Sequence, residues 1–349
     1  MKTWQPALIF VVSTALHGFC ADLNAVTATS AVSYAPAVLP GNGLAQHSFL
    51  YTGEYEVRYP DQTMFVVRGG KVVWTYSIPI KDADGTLQEL GDATMLSNGN
   101  IVFCRKTGFS EVTPDKKIIW NMDAPKGTEM HSIQPLGLDH VLVTINGNPA
   151  AKLLLINTTT GKTEKEYTFP VLNPQDSPHI QFRRVRQTKD GTFLAAHLRD
   201  NKVVEYDANF KEIWSYAAFH PWWATRLKNG NTLITEGDIT DRHPLVQEVN
   251  KQGEVVWQFT SQDAPEYRFL IFQEAERLAN GNTVICNWCP NGLKNPKTWP
   301  GSVQVLEVTP EKKVVWALSQ WNNPDLGPAS SIQLLDEPGT PENPGEQQR

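Results

Sequence analysis

Polar and apolar positions along this chain repeat a single phrase. An apolar stretch runs into an Asn-Gly or Asp-Gly turn, a β-rich run follows, and a second turn leads into a strand ending in Trp with an aromatic or aliphatic neighbour. MLSNGNIVFC goes with IIWNM, RLKNGNTLIT with VVWQF, RLANGNTVIC with VVWAL, and the weaker QTKDGTFLAA with EIWSY. Short apolar runs bounded by such turns predict strands, and Asn-Gly suits a tight hairpin because both central residues of a type I′ turn need positive φ. The closing anchors Trp74, Trp120, Tyr167, Trp214, Trp257 and Trp316 lie 46, 47, 47, 43 and 59 residues apart. A fixed period in this range, with four short strands per unit, predicts an all-β fold: a six-bladed β-propeller of four-stranded blades.

The first blade has three outer strands (SFLYTGE, TMFVVRGG, KVVWTYS) but no inner phrase ahead of them. That phrase stands at the other end, where Ser331-Ile332-Gln333-Leu334-Leu335 matches Ser132-Ile133-Gln134-Pro135-Leu136. The C-terminal strand is therefore expected to join the N-terminal blade and close the ring, removing two sheet edges. The propeller occupies 46–336. Residues 1–20 have one Lys at position 2, an apolar run from Ala7 to Leu16 and then small residues, the layout of a signal peptide cleaved before Ala21. A lipid anchor at Cys20 would want a small residue where Phe19 stands, and a buried N-terminal strand is the third reading. Residues 21–45 read as a linker, and 337–349, with no apolar residue, as a disordered tail.

Inner strands of a propeller line its channel, so the residues six and seven places before each turn should sit high on the channel wall. These are Gly91 and Asp92, His131 and Ser132, Arg183 and Arg184, Trp222 and Trp223, Gln273 and Glu274, Ser330 and Ser331. Strict alternation would aim only one of each pair inward. The second strands end at the same level in Arg105, Ile145, His197, Glu236 and Asn287. The long loops GDITDRHP and NWCPNGLKNPKTWPG are expected to overhang the same mouth. A ligand site there would draw on Asp92, Arg184, Trp222, Trp223, Gln273, Glu274, Glu236 and His197, with His131 and Arg183 as the chemical participants. A merely solvated channel would also be polar.

With 40% hydrophobic and 19% charged residues the chain can fill a core, and a net charge of -6 argues against a phosphate-binding surface and hence against nucleic acid. No second segment approaches the length of a membrane span. Four cysteines are too few for a disulfide scaffold, and no second Cys pair or His-x3-5-His spacing completes a zinc site with Cys286 and Cys289. Cys286 aligns with Cys104, Thr144, Ala196 and Thr235 as a small core position, with a Cys286–Cys289 disulfide as the alternative. No G-x-S-x-G, H-E-x-x-H, G-x-x-x-x-G-K-[ST] or G-x-G-x-x-G phrase occurs, so neither a cofactor nor a metal is indicated.

LINTTTGKTEKEY, EVNKQGEVVWQF and EVTPEKKVVWAL resemble the repeats of pyrroloquinoline-quinone-type propellers. GDATMLSNGN and RLKNGNTLIT resemble those of bacterial arylsulfotransferases, which are six-bladed and exported. The resemblance spans most of 47–336 and implies the fold. It stops short of the chemistry: the quinoproteins' adjacent cysteines are missing, and of the histidines that head arylsulfotransferase phrases only His131 is kept, with Arg183 on the next blade. The reading is a secreted or periplasmic propeller that binds a polar small molecule or glycan at the channel mouth. A protein-interaction scaffold, and a group-transfer enzyme or lyase using His131, are the alternatives.

Overall fold

The computed structural model describes residue 1 and residues 35–237, 244–290 and 292–349. The expected signal peptide, Cys20, the start of the linker and the loop at 238–243 lie outside them. Six four-stranded antiparallel sheets make a six-bladed β-propeller, blade one consisting of Ala329–Leu334, Phe49–Gly53, Asp61–Arg68 and Lys71–Pro79. The C-terminal strand is innermost there, with Leu334 opposite Phe49 and Ile332 opposite Tyr51, so both ends of the chain close the ring as the displaced phrase predicts. The inner strands of blades two to six are Leu90–Met95, Glu129–Pro135, Phe182–Gln187, Pro221–Arg226 and Ile271–Arg277.

The Trp anchors are packing knobs, and several are also clamps. Trp74, Trp214 and Trp257 donate their indole N–H to Pro114, Lys251 and Pro310, each a carbonyl in the outer turn of the following blade, at 2.8, 3.1 and 2.9 Å. Trp316 donates to Gly43 at 3.0 Å, so the last stretch before blade one, expected as linker, is docked on blade six. A second repeat escaped the sequence reading. The third-strand glutamates Glu111, Glu248 and Glu307 accept from Asn100, Asn231 and Asn282 of the Asn-Gly turns at 2.6–2.7 Å. Glu248 and Glu307 also take a cationic or imidazole partner from the next blade, Arg277 at 2.9 Å and His47 at 3.0 Å. The turns of blades five and six are thus tied to their own sheet and to the neighbouring blade, and that of blade two to its own sheet.

Cys104, Cys286 and Cys289 are buried and free, which corrects the disulfide alternative. Burial raises all three thiols, as expected of packing residues.

The segment 337–349 also differs from its expected frayed state. It crosses the face that carries the Asn-Gly turns: Glu337 accepts from the Ala279 N–H at 2.7 Å, the buried Glu342 from the Ser97 N–H at 3.2 Å, and Gln348 from the Lys228 N–H at 2.9 Å. Polar side chains here satisfy turn donors that apolar residues could not, which is why a tail without apolar residues can still be bound.

Trp316 is fully buried against Phe49, whereas Trp257 is half-buried. Trp316→Ala should therefore cost about 3–5 kcal/mol in chemical denaturation, and Trp257→Ala less. An unchanged denaturation midpoint for Trp316→Ala would show that the blade six to blade one seam does not hold the ring.

Candidate functional site at the channel mouth

Every inner strand carries a β-bulge at the level where the sequence places the site. Met130 and Ser132 face Ile145 and Thr144, leaving His131 with no partner; Phe182 and Arg184 face His197 and Ala196, leaving Arg183. Trp222, Gln273 and Ser330 are the extra residues of blades five, six and one, and in blade two Gly91 and Asp92 stand against Cys104. A bulge breaks the alternation of side chains and re-aims the residue within it. The expectation that only one of each pair turns inward is corrected accordingly: Arg183 with Arg184, Trp222 with Trp223, and Ser330 with Ser331 all line one cavity of about 280 Å3.

Four side chains form a closed ring in that cavity. The Arg183 guanidinium reaches His131 Nδ1 and His179 Nε2, both at 2.9 Å. The far nitrogens, His131 Nε2 and His179 Nδ1, meet Glu129 Oε2 at 3.1 and 2.8 Å. A guanidinium only donates, so the two ring nitrogens facing it must accept. Both imidazoles are then neutral, with their protons on the Glu129 side. Burial and the Arg183 charge push His131 down to about 4, in agreement. Hydrogen bonds from the two histidines outweigh burial at Glu129 and hold it below the usual carboxylate range. Lys106 Nζ stands 3.4 Å from Glu129, and Glu89 Oε2 stands 3.5 Å from Arg183. Burial and the neighbouring Glu89 push Glu54, on the same cavity, up to about 8. Trp222 lies under the Arg183 guanidinium at 5.1 Å and is pinned by its N–H to the Gly237 carbonyl at 2.8 Å.

Below the mouth the channel is filled. The residues after each bulge (Asp92, Ser132, Arg184, Trp223, Glu274, Ser331) are buried, and so are those two places on: Thr94, Gln134, Arg186, Thr225, Glu276 and Gln333. Asp92 pairs with Arg184 and, at 2.7 Å, with Arg186; Arg184 packs on the Trp223 ring and lies 3.8 Å from Glu274. Arg349 enters from the opposite face, bonding Thr94 at 2.7 Å and Ser331 at 3.0 Å beside Glu274. Burial favours protonation at Asp92, but Arg184 and Arg186 outweigh it and keep the carboxylate ionised. Burial and the adjacent Arg186 push Arg184 down to about 9, and burial pushes Glu276 up to about 8 against the pull of Arg349.

Of the residues expected at the site, His131, Arg183, Asp92, Arg184, Trp222, Trp223 and Gln273 do line the mouth, Asp92, Arg184 and Trp223 as its floor. Glu274 does not; it belongs to the buried network beneath. His197 and Glu236 are corrected as well. His197 is buried against Phe182 and bonds Tyr206 at 2.9 Å, and Glu236 accepts from the Phe219 N–H and Gln247. Second strands lie behind inner ones, so their ends face the blade interior. The insertion after Asn287 turns Cys289, Leu293 and Trp299 into a buried cluster with Trp321 and, among its described residues, gives the mouth only Trp288. Sequence reasoning missed Glu54, Glu89, Glu129, Lys106 and His179. The signal for Glu129 was its spacing of two from His131, which puts both on one face of a strand.

No family model matches the chain, and no curated protein matches it. Solved structures do. A protein of unknown function from Bacteroides caccae is 24% identical with a TM-score of 0.68, the match covering 82% of this chain and 97% of that one. A catalytically inactive virginiamycin B lyase from Staphylococcus aureus, solved with quinupristin, is 13% identical with a TM-score of 0.51, covering 82% and 90%. A Lactobacillus plantarum protein is 11% identical with a TM-score of 0.51, covering 85% and 88%. These likenesses establish the propeller fold; the pyrroloquinoline-quinone and arylsulfotransferase resemblances gain nothing from them. Among the described residues no helix is long and apolar enough to cross a membrane.

The floor and the mouth separate by experiment. Arg184→Met leaves Asp92 with Arg186 and Glu274 with Arg349 as their remaining cations, and should cost about 3 kcal/mol of stability, the low end for a broken buried pair. Glu276 has its proton stabilised by folding, its value rising from 4.5 to about 8. Its contribution is therefore complete below its unfolded value and is lost as pH rises through about 8. Glu276→Gln should melt progressively higher relative to the parent between about pH 5 and pH 9; a constant difference across that range would show that Glu276 titrates normally.

Proposed function

We propose that this propeller binds a small polar ligand of carbohydrate class, bearing an acidic substituent, at the channel mouth. The observation that carries the reading is the meeting, in one cavity, of an indole surface and a guanidinium with one unsatisfied N–H. Trp222 is half-buried there, and the Arg183 Nε is buried with no hydrogen-bond partner. Sugar rings present C–H faces that pack on indole and hydroxyls that suit a wall of carboxyl, amide and hydroxyl groups. Arg183 and Lys106 would take the acidic group. A secreted or periplasmic location belongs to the same proposal and rests on the layout of residues 1–20 alone.

A second reading, group transfer or lysis, is favoured by one feature. The lone pair on His131 Nδ1 faces the same cavity as the Glu54 carboxyl, and displacement of Arg183 would uncover it as a base or nucleophile. The lyase likeness is one of fold and does not decide between the two readings.

A panel of neutral and acidic mono- and oligosaccharides tests the proposal by titration. Trp222→Ala should weaken binding about tenfold or more, near 1.4 kcal/mol, with little change in melting temperature. Lys106→Met should narrow the preference for acidic over neutral members. Absence of binding across the panel, or full affinity in Trp222→Ala, would overturn the assignment.

A further inference from the structure

The donors around Arg183 have the arrangement of a metal site with a guanidinium in the metal's place. Glu89, His131 and His179 come from just before the inner strand of blade two, the inner strand of blade three and the turn at Pro178–Ile180 before blade four. They can each offer one ligand atom with all three within 4.8 Å of one another. The tautomers decide which atoms are offered. His131 Nδ1 and His179 Nε2 carry lone pairs, and both point at the Arg183 guanidinium, with Glu89 Oε2 on its third side. Each far N–H donates to one carboxylate oxygen of Glu129. Metal-bound histidines are oriented in the same way, the second ring nitrogen donating to a carboxylate that fixes the tautomer and raises ligand basicity. Nothing in the repeat demands these features, since the equivalent bulge residues elsewhere are Gly91, Trp222, Gln273 and Ser330.

We propose that Glu89, His131 and His179 bind a divalent transition cation of the Zn2+ type, Arg183 swinging aside toward Trp222 as the ion enters. Two imidazoles and one carboxylate suit Zn2+, Co2+ or Ni2+ better than Mg2+ or Ca2+. Bonds of about 2.0–2.2 Å require the three donors to draw closer together than they stand around the larger guanidinium. Exchange of a single positive charge for a double one compensates the displacement, and the open cavity has room for the arginine. Without the ion, Glu89 and Glu129 cancel Arg183 and Lys106. With it, two positive charges are left over in the mouth and Arg183 is free of the histidines. The inference stands independently of which organic ligand the mouth takes.

Titration of the full chain with Co2+ tests it directly. One equivalent should give visible d–d absorption that Zn2+ abolishes. His131→Ala and His179→Ala should each lose the signal; the two residues lie on different blades, so misfolding of one variant leaves the other to decide, with melting temperature as the control. Arg183→Met should bind more tightly than the parent because the competitor is gone. Glu129→Gln, a positioning change, should weaken binding about 10–100-fold. Trp222→Ala should bind Co2+ as the parent does, so failure of the carbohydrate proposal and failure of this one give different results. The inference is overturned if the parent gives no stoichiometric signal, if both histidine variants keep it, or if only Arg183→Met binds, since the guanidinium would then be a permanent occupant.

Discussion

One bulge per inner strand is the constraint on which the rest of this molecule depends. A regular antiparallel strand sends every second side chain back into its own blade, where small and apolar residues are required, and a mouth built that way would have six inward positions at a given level. The extra residue in each strand enlarges the supply, with both members of four pairs on the cavity and only Ser132 and Glu274 of the twelve residues held back. His131, Arg183 and Trp222 belong to the mouth, while Ser132, Arg184 and Trp223 keep register with the sheet and begin the channel lining. The bulge also separates labour: a residue outside the ladder can change without disturbing strand pairing, so the propeller can carry arginine, tryptophan, glutamine or serine at one structural position.

Beneath the mouth the opposite condition holds. Two successive rings of buried polar side chains face one another across a narrow lumen, and each must find partners there. Some bridge adjacent inner strands: Ser132 meets the Val185 backbone at 3.0 Å, and Gln134 meets that of Gln187 at 2.7 and 3.0 Å. The charged ones form a network that mixes Asp92 and Glu274 with Arg184, Arg186 and Arg349. Arg349 adds a third cation to the two from the inner strand of blade four, carried into the channel by the polar segment that crosses the turn face. The mouth is consequently a blind cavity with a charged floor.

Much of this was legible in the chain. Turn dipeptides and Trp anchors repeat at blade spacing, and the displaced Ser-Ile-Gln phrase located the closing strand. The level of the site was legible too, because distance from the turn is fixed by strand rise. What failed was direction. Pairing His197 and Glu236 with the mouth treated strand ends as if all faced the axis, whereas second strands stand behind the first. The buried lumen was written in the sequence as polar residues two apart, Asp92 and Thr94, Arg184 and Arg186, Glu274 and Glu276, but alternation alone does not say that both faces of a strand are covered. Glu89 and Glu129 were hidden for another reason: they precede the repeating phrase, where a glutamate usually means solvent. The bound state of 337–349 depends on donors at four separate turns, which no local pattern contains.

The closed ring of Arg183, His131, Glu129 and His179 limits what chemistry the mouth can do as it stands. Arg183 cannot accept a proton, so the two imidazole lone pairs are held toward it and the two imidazole protons toward Glu129. Protonating His131 would set an N–H against the guanidinium, which adds to burial in holding that imidazole neutral. A substrate can therefore reach a histidine lone pair only by moving Arg183, and the group best able to move it is one that also attracts it, an anion presented over Trp222. Cation entry and anion recognition bear on the same side chain from opposite directions. The arginine that blocks the histidines is thereby the side chain on which both proposals turn.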